Sequence, residues 1–314
     1  MNKLKSSVVI PYFNSGKYID ETLESLFAQT VLPDEIVLVD DGSTEKASID
    51  KLEEVQDKYD IIVMYREHSG ISGTLNFGAM RATGDIIFQL DSDDTLDKTY
   101  IRKFLEVFEK NKDVDGVTCG YKMFYDGVNV LDETDFHKKY MPEGLLKPKI
   151  FFENCAGGSN SAFRKSALEK INYWDESFVS FQDWGIWLKF AQHELKQLII
   201  PEYLYFYRVR SDGDLQKENI MEQMREKLKK YKGLVEKNDE KFYTKEEYEK
   251  SKKEFYKNQK AEKHSNALLQ NELSFKRLRQ LAREFYLCTK REGIVKSAKR
   301  VKGFLKYGKG KIDN

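Results

Sequence analysis

The sequence predicts an α/β fold, a mixed sheet flanked by helices, followed by an α-helical C-terminal extension. Three observations predict it. Short Val- and Ile-rich runs alternate with longer helix-like segments from Ser7 to Leu90, strand and helix signals then continue in a less regular order, and beyond about Leu215 strand signals cease.

The first part reads β-α-β-α-β-α-β. Ser7–Pro11, Glu35–Asp40, Ile61–Tyr65 and Asp85–Leu90 are the strands, rich in Val and Ile without strict alternation, as expected of strands buried on both faces. Helices are expected at Tyr18–Gln29, Ala47–Asp57 and Ser72–Thr83. In the first of these, Ile19, Leu23, Leu26 and Phe27 recur at helical spacing and form the face that covers the sheet. After the acidic run Asp91-Ser92-Asp93-Asp94 the pattern yields a helix from Thr99 to about Lys110. Strands follow near Val114–Phe124 and Val128–Leu131, around the turn pair Asp126-Gly127. A glycine pair at Gly157-Gly158, a helix from about Asp183 to Glu194 and an aromatic strand Tyr203–Arg208 complete the compact part. The shift to Lys, Glu and aromatic residues beyond Leu215 divides the chain into 1–215 and 216–314, and Thr244 with Glu247 forms a capping-box pair that opens a helix in the latter.

A chain of 314 residues, 40% hydrophobic, can bury the core of a catalytic domain and still carry an appendage. The formal net charge of +1 provides no chain-wide attraction to nucleic acid. Cys119, Cys155 and Cys288 are odd in number and widely separated, which argues against a disulfide framework or a zinc–thiolate site and fits a reducing cytosol. His68, His137, His193 and His264 show no ligand spacing either. Pro11 and Asn14 interrupt the short apolar run behind Lys3 and Lys5 before it could form a signal-peptide core. No stretch approaches the roughly 20 apolar residues of a membrane-spanning helix, so a soluble or peripheral cytoplasmic protein is expected.

Open α/β sheets bind ligands outside the carboxyl ends of their strands. Here the first strand ends in Pro11-Tyr12-Phe13-Asn14, the second in Asp40-Asp41-Gly42-Ser43 and the fourth in Asp91-Ser92-Asp93-Asp94. Each alone has an explanation in turn and cap chemistry. Three in succession, each directly after a buried strand, make a polar rim suited to a nucleotide. The first turn has no glycine-rich phosphate loop, which counts against P-loop and dinucleotide-binding folds and against a sugar nucleotidyltransferase.

In these stretches, and in Leu23 to Thr30, Ile36 to Thr44, Gly70, Asn76, Gly78, Ala82 to Asp85 and Leu90 to Asp94, the sequence resembles the family 2 glycosyltransferases of GT-A fold, of the bacterial polysaccharide type. The resemblance spans roughly residues 6–210. It implies a GT-A type, Rossmann-like sheet in which 1–95 is the nucleotide-binding half and 96–215 the acceptor-binding half. The implied reaction is an inverting, metal-dependent transfer of a hexose from a nucleotide diphosphate sugar, preferably a UDP-sugar, to a hydroxyl of a glycan or lipid-linked acceptor. By the same resemblance Asp41 reads the donor base, Pro11, Tyr12 and Asn14 lie beside the nucleoside, Gly70, Asn76 and Ser92 add nucleotide contacts, and Asp91 to Asp93 hold the metal.

The chemistry supports the acidic loop independently. A nucleoside diphosphate leaving group gathers charge in the transition state, and Mn²⁺ or Mg²⁺ bound by one or two carboxylates plus the phosphates would stabilise it. Asp93 is the expected direct ligand and Asp91 the contact to the ribose or a metal-bound water, while Asp94 suits an orienting role better. The acceptor hydroxyl must also lose a proton. Asp183, in Phe181-Gln182-Asp183-Trp184, matches the family's base, although a first-turn carboxylate also suits a helix N-terminus. Gln182 replaces the usual preceding acid and bears on acceptor positioning. Trp184 offers a sugar face or core packing, and Gly158 lies in a segment resembling the acceptor side. Arg210 stands where a histidine is usual and can contact phosphate, His68 stands for an asparagine, and Leu75 for an arginine. The Gln182 and Leu75 departures would suit a non-catalytic sugar-nucleotide-binding or scaffold subunit; Asp91, Asp93 and Asp183 argue for the enzyme.

The C-terminal stretch from Lys290 to Lys311 is strongly basic, with Ile294, Ala298, Val301 and Leu305 at helical spacing. Such a stripe fits an anionic membrane surface, each cation contributing about 1 kcal/mol, and equally fits packing on its own domain or on a second copy of the chain.

Overall fold

The computed structural model describes residues 3–126, 136, 138–145, 149–151, 153–178 and 180–210, with the isolated helical positions 246, 250, 253 and 257. The chain forms two compact units, Met1–Ser251 and Lys252–Asn314, and among the described residues all strands belong to the first. The expected strand Val128–Leu131, the Thr244–Glu247 capping box and the basic C-terminal stripe lie outside the described residues.

The expected order of the first part is present: β1 (Ser6–Tyr12), α1 (Ile19–Phe27), β2 (Glu35–Asp40), α2 (Lys46–Lys58), β3 (Ile62–Tyr65), α3 (Ile71–Arg81) and β4 (Ile86–Gln89). β1 runs parallel between β2 and β4, and β3 pairs parallel on the far side of β2. Successive side chains of β1 serve opposite faces, as the pleat requires. Val8 and Ile10 join a core with Ile19, Leu23 and Leu26 of α1 and Leu52 and Val55 of α2. Val9 faces α3 instead. Burying each such aliphatic side chain contributes about 1.5–3 kcal/mol.

β3 departs from the expectation of burial on both faces. It ends the sheet, and Ile62 and Tyr65 are 44% and 57% exposed. An apolar run identifies a strand, but coverage depends on neighbours that a run does not specify.

α3 approaches the sheet closely at Gly78. A Cβ there would lie 2.6 Å from Val9 Cγ1 and 3.0 Å from Val39 Cγ2, both on buried strands. Gly78→Ala should therefore push the helix outward and destabilise the protein by about 1–3 kcal/mol. The expected result is a lower denaturant midpoint at unchanged slope; a midpoint equal to wild type would show that the contact yields freely.

The second part contains β5 (Thr95–Leu96), α4 (Tyr100–Lys110), β6 (Gly116–Tyr125), β7 (Lys138–Tyr140), a 3-10 turn (Lys149–Phe151), β8 (Ser161–Arg164), α5 (Lys165–Lys170), α6 (Gln182–Gln192) and β9 (Gln197–Val209). The sheet order is β3-β2-β1-β4-β8-β6-β9-β5, with β7 on β6. β8 runs antiparallel to both β4 and β6, so the sheet is mixed. β9 begins earlier than the aromatic strand expected from Tyr203. Its pairing jumps from Cys119↔Ile200 to Gly120↔Tyr203, leaving Pro201 and Glu202 bulged out, where the missing N–H of proline costs no ladder bond. α4 closes the core with Tyr100, Ile101, Phe104 and Phe108.

Candidate active site

The carboxyl ends of β1 and β2 form one wall of the site. Asn14, in the left-handed region at φ 50°, joins the two loops there. Its Oδ1 accepts from the backbone N–H groups of Thr44 and Glu45 at 2.9 and 3.0 Å, and its own N–H donates to Ser43 Oγ. Asp40 closes the next turn by accepting from Ser43 Oγ at 2.6 Å, around Gly42 at φ 74°. The Tyr12 hydroxyl is buried and donates to Ser48 O, so it anchors the entry to α2 rather than facing the cleft. Pro11 lies within β1 opposite Val39.

Asp41 is 3% exposed, and its carboxylate accepts from Ser69 N, Ser69 Oγ and Gly70 N at 3.0, 3.2 and 2.9 Å. His68 Nδ1 lies 2.9 Å from Asp41 Oδ2. Gly70, at φ 83°, starts α3 in a conformation that strains any side chain. The His68 ring sits 4.5 Å from that of Phe13, which is 41% exposed, so two rings flank the Asp41 pocket. Asn76 is not brought to this wall. It is 5% exposed, its Nδ2 donates to Trp174 O and Glu176 Oε1, and its Oδ1 accepts from Trp174 N. It clamps α3 to the loop before α6, a task set by long-range packing and not visible in its motif.

The acidic loop lies between β4 and β5. Asp94 accepts from Tyr205 Oη at 2.6 Å and from Arg208 N at 2.7 Å, the orienting role expected of it. Asp91 accepts from Ser159 Oγ at 2.6 Å and from Gln89 Nε2 at 3.3 Å, and Asp93 lies 3.5 Å from Arg210 Nη1. Ser92 between them is buried. Arg208, itself buried, holds the loop from beneath: Nε donates to Asp93 O at 2.7 Å and Nη2 pairs with Glu21 at 2.6 Å.

Three carboxyls with little water resist ionisation. Burial, with repulsion from Asp93 and Asp183, pushes Asp91 up to about 6. Burial raises Asp93 against the pull of Arg210, and raises Asp94 further, with Asp93 and Asp91 adding to the effect. The donor set is hard oxygen with excess negative potential, which a divalent cation would relieve. Among the described residues no three His, Cys, Asp or Glu side chains converge as a complete ligand set, so a cation here needs phosphate oxygens beside Asp91 and Asp93.

Asp183 opens the opposite wall, in the first turn of α6 behind Phe181 at φ 60°. Its Oδ2 accepts from Asn154 Nδ2 at 3.2 Å, and a Cβ on Gly158 would lie 3.2 Å from the same oxygen. Glycine at 158 keeps a side chain from crowding that carboxylate. Burial pushes Asp183 up to about 6, against backbone N–H groups of Trp184 and Asp183 that favour the ionised form. Gln182 opens the helix beside it, half-buried. Trp184 is not placed to stack on a sugar: it is 8% exposed and its indole N–H donates to Ile150 O. The packing alternative holds for it, and Trp187 one turn on is wholly buried against Phe163 and Phe190.

The two walls share one electrostatic space. Besides the effect of Asp183 on Asp91, the Tyr207 hydroxyl is raised by burial and then by Asp94, Asp91, Asp93 and Asp183 together. The short loop from Asn154 to Ser159 spans them, touching Asp183 at one end and Asp91 at the other. Sequence reasoning missed Asn154, Gln89 and Arg208 as site residues. Gln89 carried a signal, a polar side chain inside an apolar strand; Asn154 carried none.

The family model for glycosyl transferase family 2 matches residues 7–171, just over half of the chain. An uncharacterized glycosyltransferase of Rickettsia typhi is 30% identical over 191 residues, 59% of this chain and 58% of that protein. The minor teichoic acid biosynthesis protein GgaB of Bacillus subtilis is 27% identical over 215 residues, 66% of this chain and 23% of that protein. The match thus spans less than two thirds of either relative. Among solved structures, S. aureus TarS 1-349 in complex with UDP-GlcNAc superposes with a TM-score of 0.55 at 24% identity, over 71% of this chain and 65% of that one. The mannosyltransferase PcManGT from Pyrobaculum calidifontis, in complex with GDP-Man and Mn²⁺, gives 0.52 at 16% identity, over 68% and 59%. These likenesses show the expected GT-A fold, and with the family model they establish that the chain belongs to glycosyl transferase family 2.

Proposed function

We propose that the protein transfers a sugar, with inversion, from a UDP-sugar to a hydroxyl of a glycan or lipid-linked acceptor during synthesis of a bacterial cell-surface polysaccharide. The observation that carries this reading is the short loop from Asn154 to Ser159, which touches Asp183 at one end and Asp91 at the other and so joins the two carboxyls in one site. One wall then binds the leaving nucleotide and the other accepts a proton, as in-line displacement at an anomeric carbon requires.

In this reading residues 1–95 bind the nucleotide and 96–215 the acceptor. The base enters beside the Phe13–His68 ring pair, next to Asp41, with Asn14 and Gly70 shaping the pocket walls and Pro11 and Tyr12 supporting them from within the fold. Asp93 and Asp91 would hold Mn²⁺ or Mg²⁺, which would supply charge neutralisation to the diphosphate. Ser92 sets the turn between them. Arg210, beside Asp93, exchanges that partner for a phosphate oxygen. Asp183 takes the acceptor proton, Gly158 leaves room for the sugar, and Gln182 borders the acceptor. The teichoic acid biosynthesis role of GgaB supports a cell-surface polymer as product, and the UDP-GlcNAc bound to TarS supports UDP as the carrier. The basic C-terminal stripe would bring the enzyme to the inner face of the cell membrane; among the described residues no helix is long and apolar enough to cross one.

A panel of nucleotide sugars, assayed with Mn²⁺ for released nucleoside diphosphate, tests the proposal. UDP should appear from a UDP-sugar and cease with EDTA. Nucleotide binding without release from any donor, across an acceptor panel, would identify a binding or scaffold subunit instead.

A further inference from the structure

Asp183 does not stand alone on its helix. Asn154 precedes the glycine pair on the loop between the 3-10 turn and β8, and the loop is folded around its side chain. Asn154 Oδ1 accepts from the N–H groups of Ala156 at 3.3 Å and Gly157 at 3.4 Å. Its Nδ2 donates to Gly157 O at 2.7 Å and to Asp183 Oδ2 at 3.2 Å. Turning the amide over would set NH₂ against two donors and its oxygen against two acceptors, so the surroundings dictate that the donor faces the carboxylate. The backbone is anchored as well: Asn154 O accepts from Tyr140 Oη at 3.1 Å, and Cys155 O accepts from the N–H groups of Glu143 and Gly144. Gly157, at φ 143°, lies so near Thr118 that a Cβ would sit 2.7 Å from its Cγ2, so the turn beside Asn154 requires glycine there.

We infer that Asn154 is a positioning residue for the base: its amide fixes the plane of the Asp183 carboxylate and favours the ionised form through one hydrogen bond. This rests on the reading of Asp183 as the base. Without the bond, burial would act on that carboxyl with less opposition, because only the backbone N–H groups of Trp184 and Asp183 would remain to favour its charge. Other ionisable groups in its surroundings are Asp91, Tyr121 and Tyr207. Lys149, on the 3-10 turn packed against α6, is paired with Glu143 and Glu153. Lys189, farther along α6, donates to the carbonyls of Asn172 and Tyr173. Arg164 on β8 donates to the carbonyls of Val114 and Phe108. None of these cations is bound to Asp183.

Two variants separate positioning from loop support. Asn154→Asp keeps the shape and the oxygen that accepts from Ala156 and Gly157, but sets a carboxylate where the donor was. Asn154→Ala removes both functions. With the UDP-sugar selected by the donor panel, both should lose kcat about tenfold to a hundredfold, with KM for that donor nearly unchanged. The acidic limb of kcat/KM should move up by about one pH unit in Asn154→Ala and further in Asn154→Asp. Calorimetric UDP binding equal to wild type would report an intact fold. A drop in kcat with an unmoved acidic limb, or a wild-type kcat and profile in both variants, overturns the inference. Asp183→Asn, assayed in parallel, distinguishes the alternatives: if it still transfers sugar, the base assignment fails and takes this inference with it; if it is inactive while the Asn154 variants behave as wild type, only this inference fails.

Discussion

Asp183→Asn is expected to lower sugar transfer by about 10²–10⁴-fold while UDP still binds. The substitution keeps the size of the side chain and its place in the first turn of α6, so packing around Phe181 and Trp184 should persist. What it removes is the ability to take a proton. The pH dependence carries the same information. Because burial pushes Asp183 up to about 6, the carboxyl is ionised and competent above that pH and protonated below it. At saturating Mn²⁺, which would keep Asp91 and Asp93 ionised, wild-type kcat/KM should therefore fall about tenfold per unit on the acid side of pH 6, and the residual rate of Asp183→Asn should lack that limb. A variant with the wild-type rate, or one keeping the same acidic limb, would exclude Asp183 as the base. Loss of UDP binding along with the rate would point to a damaged fold rather than to lost chemistry.

The second large effect is expected at Asp93. Its neighbours in the loop are engaged by the protein: Asp94 by Tyr205 and the Arg208 backbone, Asp91 by Ser159 and Gln89. Asp93 faces Arg210 at 3.5 Å and keeps a fifth of its side-chain surface exposed (20%), the best placed of the three to exchange a guanidinium for a cation. Asp93→Ala should reduce turnover by about 10²–10³-fold, the scale for losing one preorganised charge interaction with a leaving group. It should also abolish the strengthening of UDP binding by Mn²⁺, measured by calorimetry with and without the ion. Stability should not suffer, because burial already raises Asp93 and its charge adds to the repulsion on Asp91 and Asp94. Mn²⁺ strengthening UDP binding equally in wild type and variant would remove Asp93 from the metal site.

The origin of the Arg208 clamp shows how far local pattern reaches. Its segment was recognisable beside Arg210, yet the target of the guanidinium, the carbonyl of Asp93 more than a hundred positions earlier, follows from β9 lying against β5 and β6. The same limit hid β5, β7 and β8. β5 and β7, with two and three residues, are too short for a period of two to register, while β8, as long as β3 and β4, lacks their Val and Ile; each exists because its neighbours offer unpaired backbone groups.

The amino-acid order by itself determined β1 to β4 and the helices between them, because runs of Val and Ile, apolar spacing and turn residues act over a few positions. It also determined which loops crown the strands, and so where Asp41, Asp91, Asp93 and Asp94 stand. Only the tertiary structure decided that β3 is an exposed edge, that Asn76 and Trp184 serve packing, and that Asn154 meets Asp183. Those outcomes depend on contacts between segments remote along the chain, where a hydrogen bond or a covered face is settled by which partner arrives.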